Sequence, residues 1–339
     1  MKRSFRLPDT LLAMDRDVYG SLLADGALDR LSGVAAVDTA LLITDFEDPA
    51  HTTALASAEV LFTHWGCPPL TGPALQRMPR LRAVVHAAGS VKQHITDAVW
   101  QRGIVVSTAA QANAQPVAEY TLAAILFANK RVLESAQSYR TLRNGTAPLK
   151  SATGLGNYQR TVGIVGASRI GRLVIELLRP FDLTVLVYDP HLDPEEAREL
   201  GAETVGLDEL TRRGDVVSLH APQLPQTHQM FGRRRLGLLG DGATLINTAR
   251  GTLVDTEALT RELVSGRIYA VIDVTDPEVL PADSPLYDLP NVLLTPHIAG
   301  SLGHELGRMA DAAIAELARY ARGLPFRHAV DPGTLTRSA

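Results

Sequence analysis

The chain has 339 residues, 45% hydrophobic and 21% charged, with 27 glycines, 20 prolines and a formal net charge of -4. That balance excludes a disordered chain, a collagen-like repeat and a small disulfide scaffold, and at roughly 100–200 residues per domain it predicts two domains. The lone cysteine, Cys67, excludes an internal disulfide and points to the cytosol, and 33 Lys+Arg against 37 Asp+Glu gives no electrostatic reason to expect a nucleic-acid partner.

The basic start, Met1 to Asp9, is followed by no long apolar run, and nowhere do about 18 uncharged apolar residues occur together, so neither a signal peptide nor a membrane span is expected. Short apolar runs then alternate with segments of helical period, the sequence form of a parallel sheet wrapped by helices. The alternation occurs twice. The first set of predicted strands is Ala40 to Ile43, Glu59 to Phe62, Leu81 to Val85 and Ile104 to Val106. Pro116 to Tyr139 then predicts a long helix opened by a first-turn proline, and it divides the two sets. Asn144 to Pro148 and Gly154 to Asn157 read as surface loop. The second set is Thr161 to Val165, Thr184 to Tyr188, Asp215 to Leu219, Ala243 to Ile246, Tyr269 to Ile272 and Val292 to Leu294, and a helix over about Leu302 to Ala321 closes the pattern. Arg233-Arg234-Arg235 reads as a solvated face.

The strand Thr161 to Val165 runs into Gly166-Ala167-Ser168-Arg169-Ile170-Gly171 and then a helix predicted over Arg172 to Leu178. Strand, glycine turn and helix in that order form a dinucleotide cradle. Gly166 allows the tight turn, Gly171 lets helix and strand approach, and free N–H groups at the helix start receive a pyrophosphate. Ser168 stands at the middle glycine of the usual pattern. Asp189 ends the next strand, where a carboxylate accepts from ribose hydroxyls and repels a 2′-phosphate, so NAD is the expected cofactor.

Past the ends of later strands stand Arg250, Glu278 and His297. An arginine there can hold a carboxylate through two parallel N–H bonds, and a histidine beside a carboxylate is the usual means of moving a proton near neutral pH. Singly, such residues are more often a salt-bridge partner, a loop charge and a hydrogen-bonded histidine; only the shared strand-end position makes them a set. No H-E-x-x-H pair or thiolate cluster occurs, so no metal is expected. His64, His86, His94 and His304 read as structural or solvated, with His64-Trp65 and His86 as alternative lining for a substrate cleft.

Together, Gly166 to Gly171, Asn247-Thr248-Ala249-Arg250-Gly251, Asp273 to Glu278 and Thr295-Pro296-His297-Ile298-Ala299-Gly300 resemble the successive signatures of the D-isomer-specific 2-hydroxyacid dehydrogenases. Gly103 to Val106 and Pro116 to Thr121 extend the resemblance over most of the chain. It implies an α/β protein of two doubly wound parallel-sheet domains. Residues 1–108, completed by 303–339, would form a smaller flavodoxin-like substrate domain, and 109–302 a Rossmann NAD-binding domain. It further implies that Arg250 anchors the substrate carboxylate and keto oxygen, that His297 is the general acid/base and that Glu278 orients it. Arg169 and Ile170 would cover the pyrophosphate, Ala221, Ala249 and Asp273 would lie near the nicotinamide, and Gly89-Ser90-Val91 would bind the substrate carboxylate through backbone N–H groups. The implied reaction interconverts a 2-oxo acid and a D-2-hydroxy acid, in a homodimer built partly on the Pro116 helix.

This chain departs from the pattern at Ser168, at Val91 in place of the substrate loop's second glycine, where a reshaped pocket is expected, and at Val279 in place of a proline. Glutamate at 278 argues against the related formate dehydrogenases, and the chain's end soon after the closing helix argues against a phosphoglycerate dehydrogenase with a regulatory extension. The alternative from another class is an NAD(H)-sensing binding protein or corepressor on the same fold.

Overall fold

The computed structural model describes residues 7–143 and 154–335; the expected loop Asn144 to Pro148 lies outside them. By their internal contacts the described residues form two units, 7–114 with 301–335, and 115–143 with 154–300.

The first unit carries β1 (Asp9–Ala13), β2 (Ala36–Ile43), β3 (Val60–Thr63), β4 (Ala83–His86) and β5 (Val105–Thr108) in a sheet of order β2-β1-β3-β4-β5. Every pairing is parallel. This is the flavodoxin-like order, which reverses between β1 and β3 and so opens a crevice at their C-terminal ends. Side chains alternate across the sheet. Leu12, Met14, Val60, Phe62 and Val85 pack on one face, and Leu11, Ala13, Leu61, Val84 and Val106 on the other. The first face is covered by the helix Leu306–Ala321, whose Leu306, Met309, Ala310, Ala313 and Leu317 recur at helical spacing and are buried there. The central strand β1 has no counterpart among the predicted strands.

The second unit carries β6 (Arg160–Val165), β7 (Leu183–Tyr188), β8 (Glu203–Thr204), β9 (Val216–Leu219), β10 (Thr244–Asn247), β11 (Tyr269–Ile272) and β12 (Val292–Leu294), ordered β12-β11-β10-β9-β6-β7-β8 and parallel throughout. The reversal falls between β6 and β9, as in a Rossmann sheet. Both faces are apolar, with Val165, Leu186, Leu219, Leu245 and Ile272 on one side and Ile164, Val187, Val216, Ile246 and Val271 on the other.

The long helix differs from expectation. It runs Ala110–Asn129 with Pro116 inside it, breaks at Arg131 in left-handed conformation (φ 52°), and resumes as Val132–Leu142. Pro116 has no N–H for the Ala112 carbonyl, but the alanine-rich run before it carries enough helix propensity to begin the helix earlier, where Thr108 Oγ1 accepts from the Ala110 N–H at 3.2 Å. The helix after β6 also starts earlier, at Arg169 rather than Arg172, for a reason described below. Among the described residues no helix is long and apolar enough to cross a membrane.

Candidate active site

The turn after β6 is closed by its own residues. Gly166 has φ 98°, and a Cβ on it would lie 2.7 Å from the Ala221 backbone nitrogen; a Cβ on Gly171 would lie 2.0 Å from the Gly166 carbonyl oxygen. Neither position has room for a side chain, and this brings Ala221 against the turn. Ser168 is extended and caps the helix Arg169–Leu178, its hydroxyl accepting from the Gly171 N–H at 3.3 Å. Serine is a strong cap residue, which explains both its tolerance at the middle position and the earlier helix start. The first-turn N–H groups of Arg169 and Ile170 have no intrahelical acceptor by construction and can receive an anion. Asp189 Oδ2 accepts from the Ala167 N–H at 2.7 Å and Oδ1 from the His191 N–H at 2.8 Å. Its carboxylate therefore fixes the turn and keeps further lone pairs for hydroxyl donors. A turn whose two glycines leave no room for a Cβ, a helix start and a strand-end carboxylate suit a dinucleotide.

Arg250 follows β10 on a loop organised by Asn247. The Asn247 Oδ1 accepts from the Ala249 N–H at 3.1 Å and its Nδ2 donates to the Arg250 carbonyl at 2.9 Å. Arg250 donates through Nη1 to the Ala249 carbonyl at 2.6 Å. Burial pulls its guanidinium below the usual arginine value, and the charge of Glu278 opposes that shift. The loops after β10 and β11 touch at Gly251, where a Cβ would lie 2.0 Å from the Thr275 carbonyl carbon and oxygen. Thr275 Oγ1 in turn donates to the Pro277 and Glu278 carbonyls at 2.7 and 2.9 Å, shaping the segment that presents Glu278.

His297 follows β12 with φ 56°, a left-handed conformation that costs a non-glycine residue about 1–2 kcal/mol. Asp273, buried at the end of β11, holds it there. The Asp273 carbonyl accepts from the His297 N–H at 2.9 Å, Oδ1 from Ile298 N–H at 2.7 Å and Oδ2 from Ala299 N–H at 2.9 Å. Three successive amides are gripped by one residue. The ring that results lies with Nδ1 2.6 Å from Glu278 Oε1, and the two side chains are 52% and 59% exposed, open to a substrate. An ionised carboxylate only accepts, so Nδ1 carries the hydrogen and Nε2 is the atom left for a reactant.

In the first unit, Thr108 Oγ1 donates to the Ala88 and Gly89 carbonyls, and a Cβ on Gly89 would lie 3.4 Å from Asn113 Nδ2. Val91, expected to reshape the pocket, buries its side chain in the core of that unit, and its carbonyl accepts from the Ile95 N–H at 2.9 Å. Val279, at the proline position, is 80% exposed and changes nothing around Glu278. His64, His86 and His94 are buried behind this loop, with ring centroids 6.5 Å apart for the first two and 4.3 Å for the last two; His304 is solvated.

Sequence reasoning missed Asn247, Gly251 and Thr295 as organisers of these loops. Only Asn247 carried a local signal, an asparagine two residues before the amide it caps.

A profile of the D-isomer specific 2-hydroxyacid dehydrogenase NAD-binding domain matches residues 122–299, over half of the 339. The chain belongs to this family. A D-3-phosphoglycerate dehydrogenase of Mycobacterium tuberculosis is 35% identical over 248 residues, which is 73% of this chain and 46% of that protein. This family member thus spans about half the length of the D-3-phosphoglycerate dehydrogenases it matches. A glyoxylate reductase of Korarchaeum cryptofilum is 34% identical over 259 residues, covering 75% of this chain and 77% of that one. Among solved structures, the TT0316 protein of Thermus thermophilus superposes with a TM-score of 0.78 at 32% identity, over 95% of this chain and 100% of that one.

Proposed function

We propose that this 2-hydroxyacid dehydrogenase family member is an NAD-dependent oxidoreductase that interconverts a 2-oxo acid and a D-2-hydroxy acid. The observation that carries the reading is the 2.6 Å contact between His297 Nδ1 and Glu278 Oε1, beside an arginine that feels the same carboxylate. When bound, the nicotinamide supplies or takes up the hydride. His297 Nε2 gives a proton to the substrate oxygen in reduction and removes it in oxidation, while Glu278 holds the ring through Nδ1. Arg250 takes the substrate carboxylate and stabilises charge developing on the neighbouring oxygen. In the first unit, the backbone N–H groups of Gly89, Ser90 and Val91 bind that carboxylate, so this unit is the substrate domain and the second the dinucleotide domain. Arg169 and Ile170 cover the pyrophosphate and Asp189 the ribose, with Ala221, Ala249 and Asp273 toward the nicotinamide. Relatives named as dehydrogenases and reductases do not favour a sensor or corepressor. The test is NADH oxidation against glyoxylate, hydroxypyruvate, pyruvate, phenylpyruvate and phosphohydroxypyruvate; activity on none of them, with NADH bound, sinks the reading.

We further propose a cytosolic homodimer. Its support is an apolar groove lined by Ala124, Phe127, Ala128, Leu133, Val292 and Leu293, whose Phe127 and Leu133 are exposed in the single chain. Sedimentation should return twice the chain mass. What supports the compartment is the single cysteine, which can close no internal disulfide.

Two substitutions test the parts. Asp189→Ala should weaken NADH binding at least about tenfold, because a charge-assisted hydrogen bond is worth about 1.5–3 kcal/mol, and should narrow the gap to NADPH. A wild-type preference for NADPH overturns the assignment. Gly251→Ala should lower kcat/KM by about 10²-fold, since its Cβ pushes the Arg250 loop off Thr275 and an ångström of misplacement is worth that much. Wild-type kinetics in a folded Gly251→Ala protein would show that the two loops need not touch.

A further inference from the structure

The grip of Asp273 on the His297 loop is itself braced from behind. Thr295 Oγ1 donates to Asp273 Oδ1 at 2.7 Å, and Tyr120 Oη lies 2.9 Å from Thr295 Oγ1. The direction of this chain is determined. A hydroxyl has one hydrogen, and that of Thr295 is spent on a carboxylate that can only accept, so Tyr120 must donate to Thr295. Burial raises the Tyr120 phenol above its usual value; the hydrogen bond with Thr295 opposes that shift and the Asp273 charge adds to it, and the net rise keeps the phenol protonated as the donor. Hydrogen bonds in series polarise one another and strengthen the last, here the one on the carboxylate. Oδ1 is also the acceptor for the Ile298 N–H, one residue past His297. A donor arriving at Oδ1 from the helix side fixes the carboxylate's rotation about its own bond. That rotation decides whether Oδ1 and Oδ2 meet the two amides together.

We propose that Tyr120 and Thr295 are positioning residues, whose hydroxyls lock the Asp273 carboxylate in the rotation that holds His297 in its left-handed conformation. The inference rests on His297 being the acid/base of the reaction proposed above. Tyr120 belongs to the helix Ala110–Asn129 and its ring also lines the apolar groove, so the proton-moving loop is tied to a helix that carries none of the reacting groups.

The test uses the full chain with Tyr120→Phe, Thr295→Val, the double variant and Thr295→Ser. Turnover should fall about three- to thirty-fold in Tyr120→Phe and in Thr295→Val, the range expected when one hydrogen bond in a buried network is lost. The NADH dissociation constant should stay within about twofold, because the cofactor cradle is untouched. The double variant should be no worse than Thr295→Val alone, since both hydroxyls act through one carboxylate. Thr295→Ser, which keeps the hydroxyl, should recover most of the wild-type rate. Independently of any activity, hydrogen exchange at the 297–299 amides should speed up in Tyr120→Phe while the amides of β6 do not change. Unaltered exchange at 297–299 overturns the proposal, as does turnover in Tyr120→Phe equal to the wild type or losses that simply multiply in the double variant. If the wild-type protein reduces no 2-oxo acid, the parent reading fails while the exchange measurement still decides whether the chain holds the loop.

Discussion

Replacing His297 with asparagine should cut turnover by about 10²–10⁴-fold, the range for losing a general acid, while NADH still binds. Asparagine is the appropriate replacement because it tolerates the left-handed backbone that His297 adopts at φ 56°, so the loss is chemical rather than conformational. Glu278→Gln keeps the shape and an acceptor for the Nδ1 hydrogen but replaces a charge-assisted hydrogen bond by a neutral one, so the ring is held less firmly and turnover should fall about tenfold with the NADH dissociation constant unchanged. Wild-type turnover in a folded Glu278→Gln protein would mean that the 2.6 Å contact does not position the ring.

A second large effect is expected in acid. Burial holds His64 and His220 down to about 3 and His94 to about 4, and His86 well below 6.5 through burial first and then the charges of its two neighbours. Unfolded, each titrates near 6.5. Between the two values the unfolded chain binds protons that the folded chain refuses, so stability rises with pH across that window. It is complete above about 6.5 and lost as pH falls toward the folded values. At about 1.4 kcal/mol per pH unit, His64 and His220 alone lose several kcal/mol between pH 6.5 and 4, a large share of a domain's usual stability. Urea midpoints should be flat from about pH 7 to 8 and fall steeply below about 6. His64→Leu should flatten the slope, because neither ring nitrogen of His64 has a hydrogen-bond partner to lose. Midpoints that do not move between about pH 7 and 4.5 would contradict the burial of these rings as neutral groups.

The parallel sheets are legible because strands buried on both faces read as continuous apolar runs, and the candidate site is read from where such runs end. Asp189, Arg250, Glu278 and His297 can be marked from that rule alone. β1 escapes because Asp9 and Thr10 dilute its apolar run behind a basic start, though pairing with both β2 and β3 makes it central. Pro116 misleads because a proline inside a helix and one at its first turn differ only in what precedes them. Asp273 shows the deeper limit. The family resemblance implies a place near the nicotinamide, but its hydrogen bonds to 297, 298 and 299 depend on two strand ends meeting in space. The same holds for Tyr120 and Thr295, 175 positions apart.

The carboxylate of Asp189 has a bearing on redesign. Because it accepts from the Ala167 N–H besides the ribose role proposed for it, it is a structural part as much as a proposed selectivity filter. A conventional switch to the phosphorylated cofactor removes the acid and adds a cation nearby. Here that exchange would strip the glycine turn of its internal acceptor, leaving a protein poor with both cofactors. A successful redesign would keep an uncharged acceptor at 189, such as serine or asparagine, and bring the cation from the neighbouring His191, so that charge is reversed without loosening the turn.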